Sequence, residues 1–168
     1  MPERPDDTPI VGDGIDTPIV AVMDLTSPDF EEGDPIPGEH TCDGTDAPPE
    51  LHWSGIPSGV VELALTCEDP DAPSGTFVHW VAWAIDPASG RLRAGNGAPL
   101  AHGRNGFGTD DYRGPCPPPG HGPHRYEFSL YAVDTPLELD PGSTIEELRS
   151  SIEGHVRATA TLMGTYER

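Results

Sequence analysis

Proline and glycine interrupt this chain 21 and 20 times in 168 residues, a density that long helices do not tolerate. Proline removes a backbone donor and clashes with the preceding helical turn, and glycine weakens any regular element it sits inside. Short strands joined by ordered turns accept both. The hydrophobic pattern agrees with strands. Val61, Leu63, Leu65 and Cys67 alternate with Glu62, Thr66 and Glu68, and Tyr126, Phe128, Leu130 and Ala132 alternate with Glu127, Ser129 and Tyr131. Each run predicts a strand with one core face. Asp69 continues the first parity, so its carboxylate should point inward where that strand ends.

Between these runs, Phe77 to Asp86 is apolar on both faces and predicts a central strand. Simple alternation puts His79, Val81, Trp83 and Ile85 together, opposite Val78, Trp80, Ala82 and Ala84. Ile19 to Met23 is short and apolar on both parities, predicting another strand buried on both sides. Val156 to Tyr166 reads as a closing strand. One helix is expected: Pro141-Gly142 breaks the chain, Ser143 and Glu146 have capping-box spacing, and Ile145, Leu148 and Ile152 recur at helical intervals before Gly154. Residues 27–47 read as a long ordered loop. Residues 87–122 read as a second, whose length marks it as functional. The expectation is an all-β domain over residues 19–168, preceded by a flexible arm over residues 1–18.

Charge restricts the partners. The chain holds 29 acidic against 9 basic residues, a formal net charge of −20, and every basic residue is an arginine. Such a field repels phosphate backbones and anionic lipid surfaces, so nucleic acid and polybasic membrane contacts are excluded. The acidic residues are spread along the chain, as in a surface adapted to high salt, where the Debye length falls to about 3 Å and self-repulsion is screened. The start has proline and acid in place of a basic, apolar leader, and no run approaches the roughly 20 apolar residues that span a bilayer. A cytoplasmic protein without integral membrane contact is expected. Cys42, Cys67 and Cys116 form no C-x-x-C pair; Cys42 and Cys116 lie in loops whose approach would allow a bridge, but a reducing cytosol disfavours one and thiols are expected.

Two rigid clusters carry the polar chemistry. Asp69-Pro70-Asp71-Ala72-Pro73 precedes His79-Trp80, and Gly114-Pro115-Cys116-Pro117-Pro118-Pro119-Gly120 precedes His124-Arg125-Tyr126. Prolines at this density fix the loops and hold the few remaining N–H groups in set directions. With Ile36 to Gly44, Pro49 to Trp53, Gly154-His155-Val156 and Gly164-Thr165-Tyr166, these motifs resemble the phosphatidylethanolamine-binding proteins over residues 19–168. The similarity is greatest to the prokaryotic branch called Raf kinase inhibitor-like. The resemblance implies a Greek-key sandwich of two antiparallel sheets with one or two short helices and a small anion pocket at one end. By motif, Asp69 and Asp71 match the two aspartates of the family's D-P-D-A-P segment, and His79 matches the pocket histidine. Cys116 and Pro117 fall on the pocket rim, and His124 and Tyr126 match the H-R-Y segment. Phe77 stands where animal members carry tryptophan. The resemblance also implies a homodimer.

The residues support that pocket on physical grounds. A phosphate or carboxylate leaving water needs donors to replace its hydration, and imidazolium, phenol and backbone N–H provide them. His79 and His124 supply two such donors, and affinity should rise below about pH 6.5, where histidine gains a proton. The expected ligand is a phosphate, a phosphoethanolamine-like group or a carboxylate. No cofactor and no metal are expected, because no phosphate-cradling glycine loop and no ligand pair with metal spacing occurs. The leading function is a noncatalytic binding or regulatory module, related to kinase or protease inhibitors. The competing one is a hydrolase using Asp69 and His79 as acid and base. Plainer roles also exist: Asp69 capping a turn, Asp71 and Arg125 bracing a loop, and His121 among the surface or packing histidines.

Overall fold

The computed structural model describes residues 20–93 and 100–168; the expected arm over residues 1–18, and Ile19, lie outside them. Its strands are β1 (Ala21–Val22), β2 (Asp24–Thr26), β3 (Leu51–Ser54), β4 (Glu62–Asp69), β5 (Phe77–Ile85), β6 (Arg91–Leu92), β7 (Ala101–His102), β8 (His124–Val133) and β9 (Val156–Tyr166), with one helix, α1 (Ile145–Ile152). Six strands form a large sheet in the order β1-β9-β8-β4-β5-β7, and three form a small one, β2-β3-β6. The expected β-sandwich of two sheets is therefore present. It departs from the purely antiparallel form at one edge, where β1 runs parallel to β9.

Both faces of the large sheet are covered. Leu63, Leu65, Cys67, Phe128, Leu130 and Leu162 pack toward Leu25, Leu51, Trp53 and Leu92 of the small sheet. On the opposite side, Ala64, Val81, Trp83 and Val133 pack under Ile145, Leu148 and Ile152 of α1. The helix is held by a capping box one residue later than the spacing predicts. The Thr144 hydroxyl accepts from the Glu147 N–H at 3.1 Å, and the Glu147 carboxylate accepts from the Thr144 N–H at 2.9 Å. Ser143 is unavailable because its hydroxyl donates to Asp140 O at 2.6 Å, closing the Pro141-Gly142 turn.

Two strands differ from the parity reading. β1 is an exposed edge, with Val22 at 85% exposure, and only Met23 beyond it enters the core. In β5, Cys67 faces Trp80 and Glu68 faces Val78, so His79 is an extra residue in a bulge. A bulge turns two consecutive side chains to one side. His79 therefore points with Trp80 toward the inter-sheet side, where its ring meets Tyr126, instead of sharing a face with Val81 and Trp83. A second irregularity at the far end, with Ala84 at φ 62°, returns Ile85 to the inter-sheet core beside Leu63.

Candidate functional site

Antiparallel pairing brings the end of β4 and the starts of β5 and β8 together at one end of the large sheet, with Asp69 opposite Phe77 and Glu68 opposite Glu127. That register places Asp69, His79, His124 and Tyr126 around a common space. Ala72 and Pro73 from the turn after β4 close one side, and Phe107 with Cys116, Pro117 and Pro118 close the other. The result is a cavity of about 230 Å³ whose wall is mostly proline and aromatic carbon.

Asp69 and His124 form a buried pair at its base. His124 Nδ1–H donates to Asp69 Oδ2 at 2.7 Å, with each side chain at most 4% exposed. The other carboxylate oxygen, Oδ1, accepts the Asp71 N–H at 2.7 Å. Asp69 thus both closes the turn through Pro70 and orients His124, and neither of its oxygens is idle. Such a pair is costly to break, because the surviving charge would stay buried without a partner.

His79 is oriented from the opposite wall. Its Nδ1–H donates to Arg113 O at 2.7 Å, and the Arg113 N–H donates back to His79 O at 3.1 Å. A carbonyl only accepts, so the proton on Nδ1 is fixed and Nε2 is the nitrogen open to the cavity. Burial pulls the imidazole pKa down, opposed by the Arg113 carbonyl and the Asp69 charge. At neutral pH the cavity therefore meets a lone pair on Nε2. Tyr126 keeps its proton, since burial and then the neighbouring Asp69 charge push its phenol well above the usual range.

The mouth is aromatic. Phe77 and Phe107 meet edge to face at 4.8 Å between ring centroids, and the Arg113 guanidinium lies 5.8 Å from the Phe107 centroid. The proline rim is tied to Arg168, two residues past β9, because Arg168 Nε donates to Pro117 O at 2.9 Å and Gly120 N donates to Arg168 O at 2.8 Å. Cys42 and Cys116 are joined in a disulfide across 5.4 Å between Cα atoms, which corrects the expectation of thiols. The expectation rested on compartment chemistry alone. The fold supplies what it lacked, since the Cys42 N–H donates to Pro115 O at 3.1 Å and holds the two loops in register. Cys67 is free and buried, and burial pushes its thiol well up.

Of the seven residues expected at the site, Asp69, His79, Cys116, Pro117, His124 and Tyr126 line the cavity. Asp71 does not. Its carboxylate takes a two-point fork from Arg125, at 2.9 Å from Nε and 2.8 Å from Nη2, and the Arg125 backbone N–H as well. That guanidinium holds the Asp71 carboxyl down at about 2 and makes Asp71 a brace between the turn and β8. Phe107 and Pro118 complete the lining without having been singled out. Phe107 was signalled by an aromatic residue between two glycines, Gly106 and Gly108, in a loop already marked as functional. His121, placed by the sequence among the surface or packing histidines, is exposed, yet its ring bonds directly to His124.

A family model described as phosphatidylethanolamine-binding protein matches residues 26–167. The chain belongs to that family. It is 46% identical over 140 residues to a Pyrococcus abyssi protein called UPF0098, covering 79% of each chain. It is 42% identical over 154 residues to a Mycobacterium tuberculosis protein, LppC, whose name marks it as a candidate lipoprotein, covering 90% of this chain and 76% of the relative. Among solved structures it is similar to a phosphatidylethanolamine-binding protein homologue from Chlamydia trachomatis, with a TM-score of 0.83 and 39% identity, covering 88% of this chain and 98% of the other. The likeness to that structure extends over the two-sheet fold. No helix among the described residues is long and apolar enough to cross a membrane.

Proposed function

We propose that this protein is a noncatalytic binding or regulatory module that holds a phosphate- or carboxylate-bearing group in the cavity between His79 and the Asp69–His124 pair. The observation that carries the reading is the His79 ring, fixed through Nδ1 and left with Nε2 facing a space walled by proline and aromatic carbon. A guest that brings its own acidic proton donates it to Nε2. A fully ionised guest binds once Nε2 is protonated, and because burial lowers the His79 pKa, that strengthening begins below the ordinary value of 6.5. The apolar wall removes competing water and strengthens either bond.

An acid–base hydrolase on Asp69 and His79 has less support. Asp69 would need a free oxygen to exchange a proton with substrate, and both are engaged. The same reading extends to a salt-adapted homodimer and to inhibition of a kinase or protease. The Cys42–Cys116 bridge and the lipoprotein-named relative weigh against the cytoplasm.

Thermal unfolding in molar KCl with phosphate, phosphoethanolamine or acetate tests the pocket. A ligand that binds only the folded state raises the midpoint, by the equivalent of about 2.7 kcal/mol at a hundredfold excess over Kd. The shift is expected in the parent and absent in His79→Ala. A parent that responds to no anion contradicts the proposal.

A further inference from the structure

We propose that His121 is a built-in competitor of the cavity: its imidazole occupies the one nitrogen of His124 that a guest can use, and it must swing aside for the guest to engage that ring. This rests on the anion-site reading above and deepens it by assigning a residue that sets the affinity threshold.

The geometry is specific. His124 Nδ1 is consumed by Asp69 at 2.7 Å, and His124 Nε2 lies 2.7 Å from His121 Nδ1. An imidazole has two nitrogens, so His124 has none left. The proton between the rings sits on one nitrogen or the other, and in both cases an incoming oxygen finds the position taken. His79 differs, since its Nε2 faces the cavity without a side-chain partner among the described residues. As it stands, then, the site offers one of its two histidines.

The chain is shaped to present His121 in this way. Gly120 and Gly122 flank it at φ 77° and 87°, left-handed conformations that residues with a side chain rarely adopt, while nothing crowds a Cβ at either position. Glycine is needed there for direction, not space. The His121 N–H donates to Pro118 O at 3.1 Å and Gly120 N to Arg168 O at 2.8 Å, curling the segment so that a ring three residues before His124 folds back onto it. The two rings stand 4.9 Å apart between centroids. Because His121 is exposed while His124 is only 2% exposed, the outer ring is the one free to move.

A neutral hydrogen bond of this kind is worth about two- to tenfold in an equilibrium constant. Titration calorimetry of inorganic phosphate into the full chain and into His121→Ala, in the same molar KCl buffer, should show the variant binding about two- to tenfold tighter. Equal affinity in both proteins overturns the proposal by making His121 a bystander, and weaker binding by the variant overturns it by making His121 a ligand of the guest. Silence from both overturns the anion-site reading and, with it, the competition. Binding by the variant alone supports the competitor in its strongest form. Ring-nitrogen NMR supplies a readout without phosphate: the His124 Nε2 signal should move on His121→Ala, and an unmoved signal overturns the contact on which the proposal stands.

Discussion

Breaking the Cys42–Cys116 bridge should destabilise the fold by several kcal/mol and loosen the cavity together with it. The bridge joins residues 74 apart in sequence. Constraining an unfolded chain over a loop of that length contributes about 4.4 kcal/mol at 25 °C in the chain-entropy treatment. For a chain of this size each kcal/mol corresponds to roughly 2–4 °C in Tm, so reduction should lower the midpoint by about 9–18 °C. The assay is thermal unfolding in molar KCl with and without reductant, repeated on Cys42→Ser, where reductant should have no further effect. Because Cys116 forms part of the cavity wall beside Pro117, the phosphate-induced rise in midpoint should shrink in the same samples. Thiol titration in denaturant without reductant should find one thiol per chain, that of Cys67. Three thiols, or a midpoint indifferent to reductant, would refute the reasoning.

Other consequences follow from individual contacts. Arg125→Ala removes the fork on Asp71 and should lower stability near neutral pH, only modestly because the guanidinium is exposed. Asp71 titrates at about 2 when folded against an ordinary 3.8, so this stabilisation is complete above the higher value and is lost as pH falls through the lower. Parent and variant should therefore converge in acid unfolding, and a gap that persists at pH 1.5–2 would count against the assignment. For His79 the sign is the same. Its folded pKa is depressed by burial, so the unfolded chain takes up a proton first and stability falls as pH drops below 6.5. His79→Gln should flatten the denaturation free energy between pH 7 and 5; an unchanged slope assigns it to other groups. Leu148→Ala empties a wholly buried position beneath α1 and should cost about 2–5 kcal/mol in urea unfolding, with a smaller loss disproving the helix's place in the core.

Much of the architecture was readable from alternation. β4, β8 and β9 carry period-2 patterns whose inward residues form the inter-sheet core, except Val61, which falls outside β4 and is exposed; the helical spacing of Ile145, Leu148 and Ile152 marks the buried stripe of α1. Where reading failed, a local departure from regular geometry was responsible. His79 changed sides because one extra residue in β5 is invisible to a parity count. The helix cap moved from Ser143 to Thr144 because the earlier hydroxyl serves the preceding turn. β1 looked like an interior strand because composition does not reveal a sheet edge. The site residues came from motif resemblance, which places Asp71 beside Asp69 without saying which of them faces the cavity. Strand parity already turns Asp69 inward, and the Arg125 fork fixes Asp71 as the brace. The Cys42–Cys116 bridge depends on how two distant loops fold together, and the His121 contact on a local glycine-flanked curl, neither of which a spacing in the chain encodes.

Following the His79 ring nitrogens by NMR while phosphate is added below pH 6.5 addresses the anion pocket most directly. A saturable displacement of the Nε2 signal with Nδ1 still bonded to Arg113, and loss of phosphate binding in His79→Ala, is the predicted outcome. A Nε2 resonance that stays still while phosphate perturbs signals elsewhere would leave the sandwich intact and remove its guest.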